Sequence, residues 1–472
     1  MENSKLIQLL KTFKAKELRE CGEWVHSPIV NKNEELSGLY LYLKSCAPTF
    51  AAKKIERSTV YKKLFPKKMY DEKHLNHLMS FLLKLIEQYL AYSKFSENTL
   101  QENIYTLQSY TQRGLDKHYA QALESTKQKL QQVPFRNVDF YFHQYLLAET
   151  ENQHFLKQKI RKFDERLQLA ANHFDNYLLA NKLKYFCEMK DRKMSLAANY
   201  ELNMQSQIFN FIDEKNLDDF PGINVYRVIL QMLEQPSDTQ YFFSLKKLLK
   251  QHAADFPHQE LKELYFYAIN YCIRKVNQGE QDFLKELFAI YKDCLKENVL
   301  IEDEQMSPWT FKNLVGVGLR LKEFQWVEQF IKENNDLLSE EFRVNAYNYN
   351  MAELSYYRND FDKAIKHLNK VEFSDVYYSF DTKKMLMKIY FEQDEIDALL
   401  SLIASFKIFI KRNNSVSEAN KEAYNNFINI IQQFVKYASQ NTAPELFKSI
   451  ETTKPLADRN WLLEQYGKRF KN

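Results

Sequence analysis

His74 and His77 stand three residues apart in a stretch of helical spacing, so both rings would share one helix face and could meet a single metal ion. A metal site needs further ligands, and no third one is identifiable from spacing, so the pair reads as surface or half-buried histidines. Gly316-Val317-Gly318 is the nearest approach to a phosphate-cradling loop. It lacks a third glycine and falls within a predicted helix, where small residues serve close packing instead. The chain contains no Walker-type phosphate loop, no H-E-x-x-H, no G-x-S-x-G and no EF-hand loop. The expectation is no catalytic residue, no metal and no cofactor.

Arg113 with His118, and Arg136 with His143, place an arginine shortly before a histidine. That spacing resembles the HEPN family of all-helical ribonucleases, and the resemblance would imply RNA cleavage. About one such match is expected by chance in a chain of this composition. Gly114 also follows Arg113 where that family usually has a polar residue. A helical ribonuclease therefore stands third among the functional readings.

The clearest pattern surrounds two alanines. Asp360-Phe361-Asp362-Lys363-Ala364-Ile365 is echoed by Asp394-Glu395-Ile396-Asp397-Ala398-Leu399, a step of 34 residues from Ala364 to Ala398. Leu368 and Leu402 keep the same offset, and Ala352 supplies a small residue earlier in the pattern. Small residues let antiparallel helices approach closely while leucine fills the space between them. Lys322-Glu323-Phe324-Gln325-Trp326-Val327 extends the series toward the N-terminus, with 37 residues from Val327 to Ala364.

This stretch, residues 310–405, resembles the tetratricopeptide (TPR) family, with Ala352 and Ser355 where the family usually has Gly and Tyr. The resemblance implies an all-α, right-handed α-solenoid of TPR-like helical hairpins and a peptide groove lined by the first helix of each hairpin. Counting from Ala352 and Leu386, groove positions fall on Tyr349, Asn350, Glu353 and Tyr356, then on Lys383, Lys384, Met387 and Tyr390. The preceding hairpin, placed through Val315, adds Lys312, Asn313 and Leu319. Asn amides suit a peptide backbone, Lys a carboxylate, and Tyr rings supply contact area at low entropy cost.

The elements around this region divide into four parts. Residues 1–95 are expected to form a distinct, compact N-terminal helical domain. Residues 96–305 read as irregular helical hairpins, 306–411 as the TPR-like repeats, and 412–472 as capping helices after a break over Arg412-Asn413-Asn414-Ser415. Leu64-Phe65-Pro66 between a short and a long helix resembles part of a winged-helix DNA-binding domain. Lys53, Lys54, Arg57, Lys62, Lys63, Lys67 and Lys68 add a local basic cluster. Yet the long helix from Asp71 runs into Asn98 and another helix, with no hairpin for a wing, and its face mixes both charges.

Composition agrees with helices. Gly 8 and Pro 10 in 472 residues leave too few turn formers for a many-stranded sheet. Formal net charge is +4 from 66 basic and 62 acidic residues, too balanced to announce nucleic acid or anionic lipid. Five scattered cysteines without C-x-x-C suggest buried thiols in a reducing compartment. With no signal peptide or membrane span expected, the localisation read is cytoplasmic. The function expected is a non-enzymatic scaffold for a protein or peptide partner. A DNA-binding regulator with a TPR-like sensor or dimerisation arm is the alternative.

Overall fold

A computed structural model describes every residue except 161, 197–198, 372–375, 414–416, 439, 441–442 and 471–472. Among the described residues the protein is all-helical, with twenty-three α-helices and one two-residue strand pair, Ile301–Glu302 against Gln305–Met306. Scarce glycine and proline let the helices run long. The chain divides into two compact units: residues 1–186 with 201–224, and residues 187–200 with 225–472.

The first unit begins with α1 (Lys5–Lys11), α2 (Ala15–His26), α3 (Glu34–Ser45), α4 (Arg57–Leu64) and α5 (Glu72–Glu97). Their apolar stripes meet in one core running from Leu6 to Tyr89, with Leu39, Tyr40, Val60, Leu82 and Ile86 sealed from solvent. Asp71 caps α5 by accepting from the His74 backbone. Asn98 ends α5 and caps α6 (Thr99–Arg113), so no strand follows the long helix. The basic cluster is partly neutralised, Arg57 by Glu72 and Lys68 by Glu35 at 3.4 Å.

The unit continues through α7 (Asp116–Gln132), α8 (Val138–Lys157), α9 (Arg166–Leu196, whose residues from Cys187 onward count with the second unit) and α10 (Gln205–Lys215). The sequence pattern suggests two helices, Phe174–Lys190 and Arg192–Phe211. Instead α9 runs for 31 residues straight through Lys190-Asp191-Arg192, because nothing there breaks a helix.

The second unit takes α11 (Pro221–Glu234) from Val225 onward, then α12 (Gln240–His252), α13 (His258–Asn277), α14 (Phe283–Lys296), α15 (Pro308–Arg320) and α16 (Phe324–Asn334). They lead to α17 (Glu340–Tyr357), α18 (Phe361–Leu368), α19 (Val376–Glu392) and α20 (Ile396–Arg412). The last three are α21 (Glu418–Lys436), α22 (Pro444–Thr452) and α23 (Arg459–Phe470). Of the expected break over 412–415, Asn414 and Ser415 lie outside the described residues. From α13 onward each helix packs on the next, and α17 also touches α15 and α19.

One turn geometry recurs between paired helices. Gly279, Lys322, Asn359 and Asp394 all have positive φ, at 99°, 61°, 59° and 55°. In each case the next backbone N–H reaches back five residues, from Glu280 to Lys275, Glu323 to Gly318, Asp360 to Ser355 and Glu395 to Tyr390. This left-handed closure satisfies carbonyls that a helix end leaves orphaned. It also sets the register between hairpins. Asn359 to Asp394 is a step of 35 residues, so the slot of Ala364 falls on Leu399 and not on Ala398. Burial agrees, since Ala364 and Leu399 are fully buried while Ala398 is half-buried.

Gly318 marks a close approach between α15 and α16. A Cβ there would sit 2.6 Å from Val327 Cγ2 and 3.4 Å from the Phe288 ring, whereas one at Gly316 meets nothing within 4 Å. Gly318→Ala should therefore destabilise by roughly 1–3 kcal/mol through overpacking. Gly316→Ala should be neutral or slightly stabilising, since alanine is the better helix former. Urea unfolding of the two single variants checks this, and equal losses would mean that the crossing is not tight.

Candidate functional site

The site begins with helical spacing on α19. Asp381, Lys384, Lys388 and Glu392 recur every three or four residues, which puts all four on one face. Facing them are Lys312 from α15, Tyr349, Glu353 and Tyr356 from α17, and Tyr424 from α21. Asp458, just before α23, and Trp461 within it approach the same face.

Asp381 is the hub. Its carboxylate accepts from the Lys312 ammonium, accepts from the Tyr424 hydroxyl at 3.1 Å, and lies 3.4 Å from Lys384. Lys384 in turn approaches Asp458 at 3.6 Å, and Lys388 donates to Asp458 at 3.3 Å. Burial pushes the Asp381 carboxyl upward, but the Lys384 and Lys312 ammoniums and the hydrogen bonds from Lys312 and Tyr424 outweigh it, holding it down at about 2. Asp458 is likewise held low against burial by Lys384 and Lys388. Lys384 is raised, burial being overcome by Asp381 and Asp458. Glu353 differs: burial raises its carboxyl despite nearby Lys312 and Lys388, and its Oε2 has no hydrogen-bond partner.

The second half of the network is aromatic. Trp461 Nε1 donates to Glu392 Oε1 at 2.8 Å and to the Tyr356 hydroxyl at 2.9 Å. Tyr356 donates to the same Glu392 oxygen, and the Lys388 ammonium sits 5.0 Å from the Tyr356 ring centre and 5.2 Å from that of Trp461. Gln465 adds a bond to Glu392, and Arg469 lies 3.9 Å above the Phe391 ring. α23 is thus fastened along α19 by its polar face. Its apolar face, Leu462, Tyr466 and Phe470, belongs to the core with Phe427 and Phe434.

Beside this network a cleft of about 680 Å³ stays open. One wall is Arg320, Lys322, Tyr357 and Asn359, at the ends of α15 and α17. The other is Asn460, Glu464 and Lys468 of α23, and Lys388 with Trp461 line its interior. In the first unit, a smaller cavity of about 280 Å³ lies among α7, α8 and α9. Its cations are neutralised locally, Lys127 by Glu151 at 2.8 Å and Arg166 by Asp164 at 2.5 Å.

The residues expected to form a groove are split by this arrangement. Lys312, Glu353, Tyr356 and Lys384 gather in the polar network, and Asn313 is exposed on α15. Tyr349 is buried beneath Lys312, whose ammonium is 4.9 Å from its ring centre. Five positions need correction, among them Leu319, which is fully buried on α15. Asn350 is fully buried and its amide donates to the Ala346 carbonyl, so it offers nothing to a peptide. Met387 is fully buried in the core, with Tyr390 packed against that core. The Lys383 ammonium lies 5.4 Å from the centre of the Phe409 ring on α20.

For the α19 positions the cause is the 35-residue step. It pairs Ala352 with Met387 instead of Leu386, and one residue turns a helix face by about 100°. Lys384 and Lys388 then correspond to Tyr349 and Glu353. The three-to-four charge spacing on α19 was readable as a shared face, but nothing local announced Asp458 and Trp461.

Of the residues singled out for other chemistry, His74, Arg113, Arg136 and His143 are engaged within the fold, and His77 is exposed on α5. His74 lies between Glu35 at 2.9 Å and the Tyr61 hydroxyl at 3.3 Å. His143 is buried, with one ring nitrogen 2.8 Å from the Asp139 carbonyl and the other 3.3 Å from Asn98. Arg136 donates to the carbonyls of Val133 and Phe135, and Arg113 to that of Ser109. His118 is exposed, its ring centre 5.7 Å from that of Tyr110. Among the described residues no group of three or more His, Cys, Asp or Glu is arranged to hold a metal. No described helix is long and apolar enough to cross a membrane. No protein-family model, curated protein or solved structure matches this chain.

The depressed Asp381 carboxyl sets a pH dependence. Such a group contributes stability that is present above its unfolded value of about 4 and is lost as pH falls toward its folded value. The unfolding midpoint of Asp381→Asn should therefore lie well below the parent's at pH 6, with the gap closing between about pH 4 and pH 2. A gap of constant size across that range would show that the ion pairs are not what Asp381 contributes.

Proposed function

We propose that this chain is a non-enzymatic, TPR-like helical-repeat scaffold that holds a protein or peptide partner in the cleft between the α15 and α17 ends and α23. The recurrent left-handed turns at Gly279, Lys322, Asn359 and Asp394 support a right-handed stack of hairpins. One observation carries the binding reading: α23 already lies on α19 through a carboxylate, an indole and a carboxamide, Asp458, Trp461 and Gln465. A surface that receives a helix in this way has the groups for helix-in-groove recognition, and the open cleft lies beside it. Five buried, unpaired cysteines fit a reducing, cytoplasmic setting for such a scaffold.

The test is a photo-crosslinking amino acid placed at exposed Asn359, in the cleft, or at exposed Leu400, on α20 outside it. In cells that naturally make the protein, position 359 should give a discrete crosslinked adduct and position 400 none. Adducts at neither position, or equally at both, would remove the cleft as a docking site.

A further inference from the structure

The cleft's charges are not balanced from within. Five cations line it, Arg320, Lys322, Lys388, Arg459 and Lys468, against Glu392, Asp458 and Glu464. Three of those cations are engaged: Lys388 with Asp458, Lys468 with Glu464 at 2.7 Å, and Arg459 with the carbonyls that end α22. Among the described residues Arg320 meets only the Gln281 side-chain oxygen, at 3.3 Å, and Lys322 has no ion-pair partner. Both side chains are exposed, on the wall that carries Tyr357.

Lys322 is also conformationally out of place. It holds φ 61° at a turn where the corresponding positions are Gly279, Asn359 and Asp394. Those residue types enter the left-handed region most easily, whereas a long aliphatic side chain does so at a cost. A basic residue at the α15 C-terminus is accounted for by the helix dipole, and Arg320 in the last turn already meets that need. Lys322 lies beyond the helix, so neither the turn nor the dipole accounts for it.

Resting on the reading of the cleft as a docking site, we infer that its partner is an acidic peptide segment. Its carboxylates meet Arg320 and Lys322, and its backbone or an apolar side chain covers Tyr357. Charge complementarity selects this occupant: two unneutralised cations on one wall favour carboxylates and repel a basic segment.

Fluorescence anisotropy of the full-length protein with labelled octaglutamate, octaglutamine and octalysine peptides tests this. Octaglutamate should bind best, and Arg320→Ala with Lys322→Ala should weaken it about tenfold or more. Lys62→Ala with Lys63→Ala, in the basic cluster of the first unit, should leave that binding unchanged. Lys322→Asn should weaken binding while keeping or raising the thermal midpoint, because asparagine tolerates the left-handed turn. A purely structural lysine would move only the midpoint. Octaglutamate binding lost with Lys62 and Lys63 instead would overturn the inference. So would preference for octaglutamine or octalysine in the cleft, though the docking site itself would then stand. If no peptide binds, the inference fails, and crosslinking at Asn359 decides separately whether the cleft docks anything.

Discussion

A carboxylate withdrawn from water must be paired, and in the second unit that requirement falls on Asp381. The two ammoniums that answer it come from different helices, Lys312 of α15 and Lys384 of α19 itself. Removing Asp381 takes from Lys312 its ion-pair partner in a site of low exposure, which is costlier than losing a surface pair. The network therefore ties α15 to α19 across α17, and through Asp458 it reaches the start of α23. Non-directional apolar packing would tolerate small slips between these helices. Paired charges at about 3 Å do not.

Around that hub the aromatic residues do two kinds of work. Phe391, Phe406, Phe427 and Phe434 fill the core between α19, α20 and α21, where area buried is what counts. Tyr356, Tyr424 and Trp461 sit at the boundary, with rings against apolar surface and polar atoms in the network. This division lets α23 belong to the core on one side and line an open cleft on the other. The cleft is thus bounded by elements held rigidly from behind, while the side chains at its mouth stay exposed.

The hairpin turns link backbone geometry to this arrangement. A left-handed residue closes each helix end and determines where the next helix starts. A single-residue change in the interval between turns therefore rotates every position of the following hairpin. That is why Lys384 and Lys388 stand where Tyr349 and Glu353 stand one hairpin earlier. It is also why Met387, expected in a groove, lies in the core.

The helical class, the long capped helices and the close approach at Gly318 were legible from composition, periodicity and small-residue spacing, because these are set by interactions over three or four residues. Asp71 as the start of the long helix belongs to the same local chemistry. The one-residue offset between Ala398 and Leu399 was not legible, since both residues fit the same sequence pattern and only turn geometry separates them. Nor was the meeting of Asp381 with Tyr424 and of Lys388 with Asp458, or the recruitment of Trp461 to Glu392. Such pairs lie 43 to 70 residues apart. Their choice depends on which helix faces come together once packing has decided the rotation of each helix, and no local spacing carries that information.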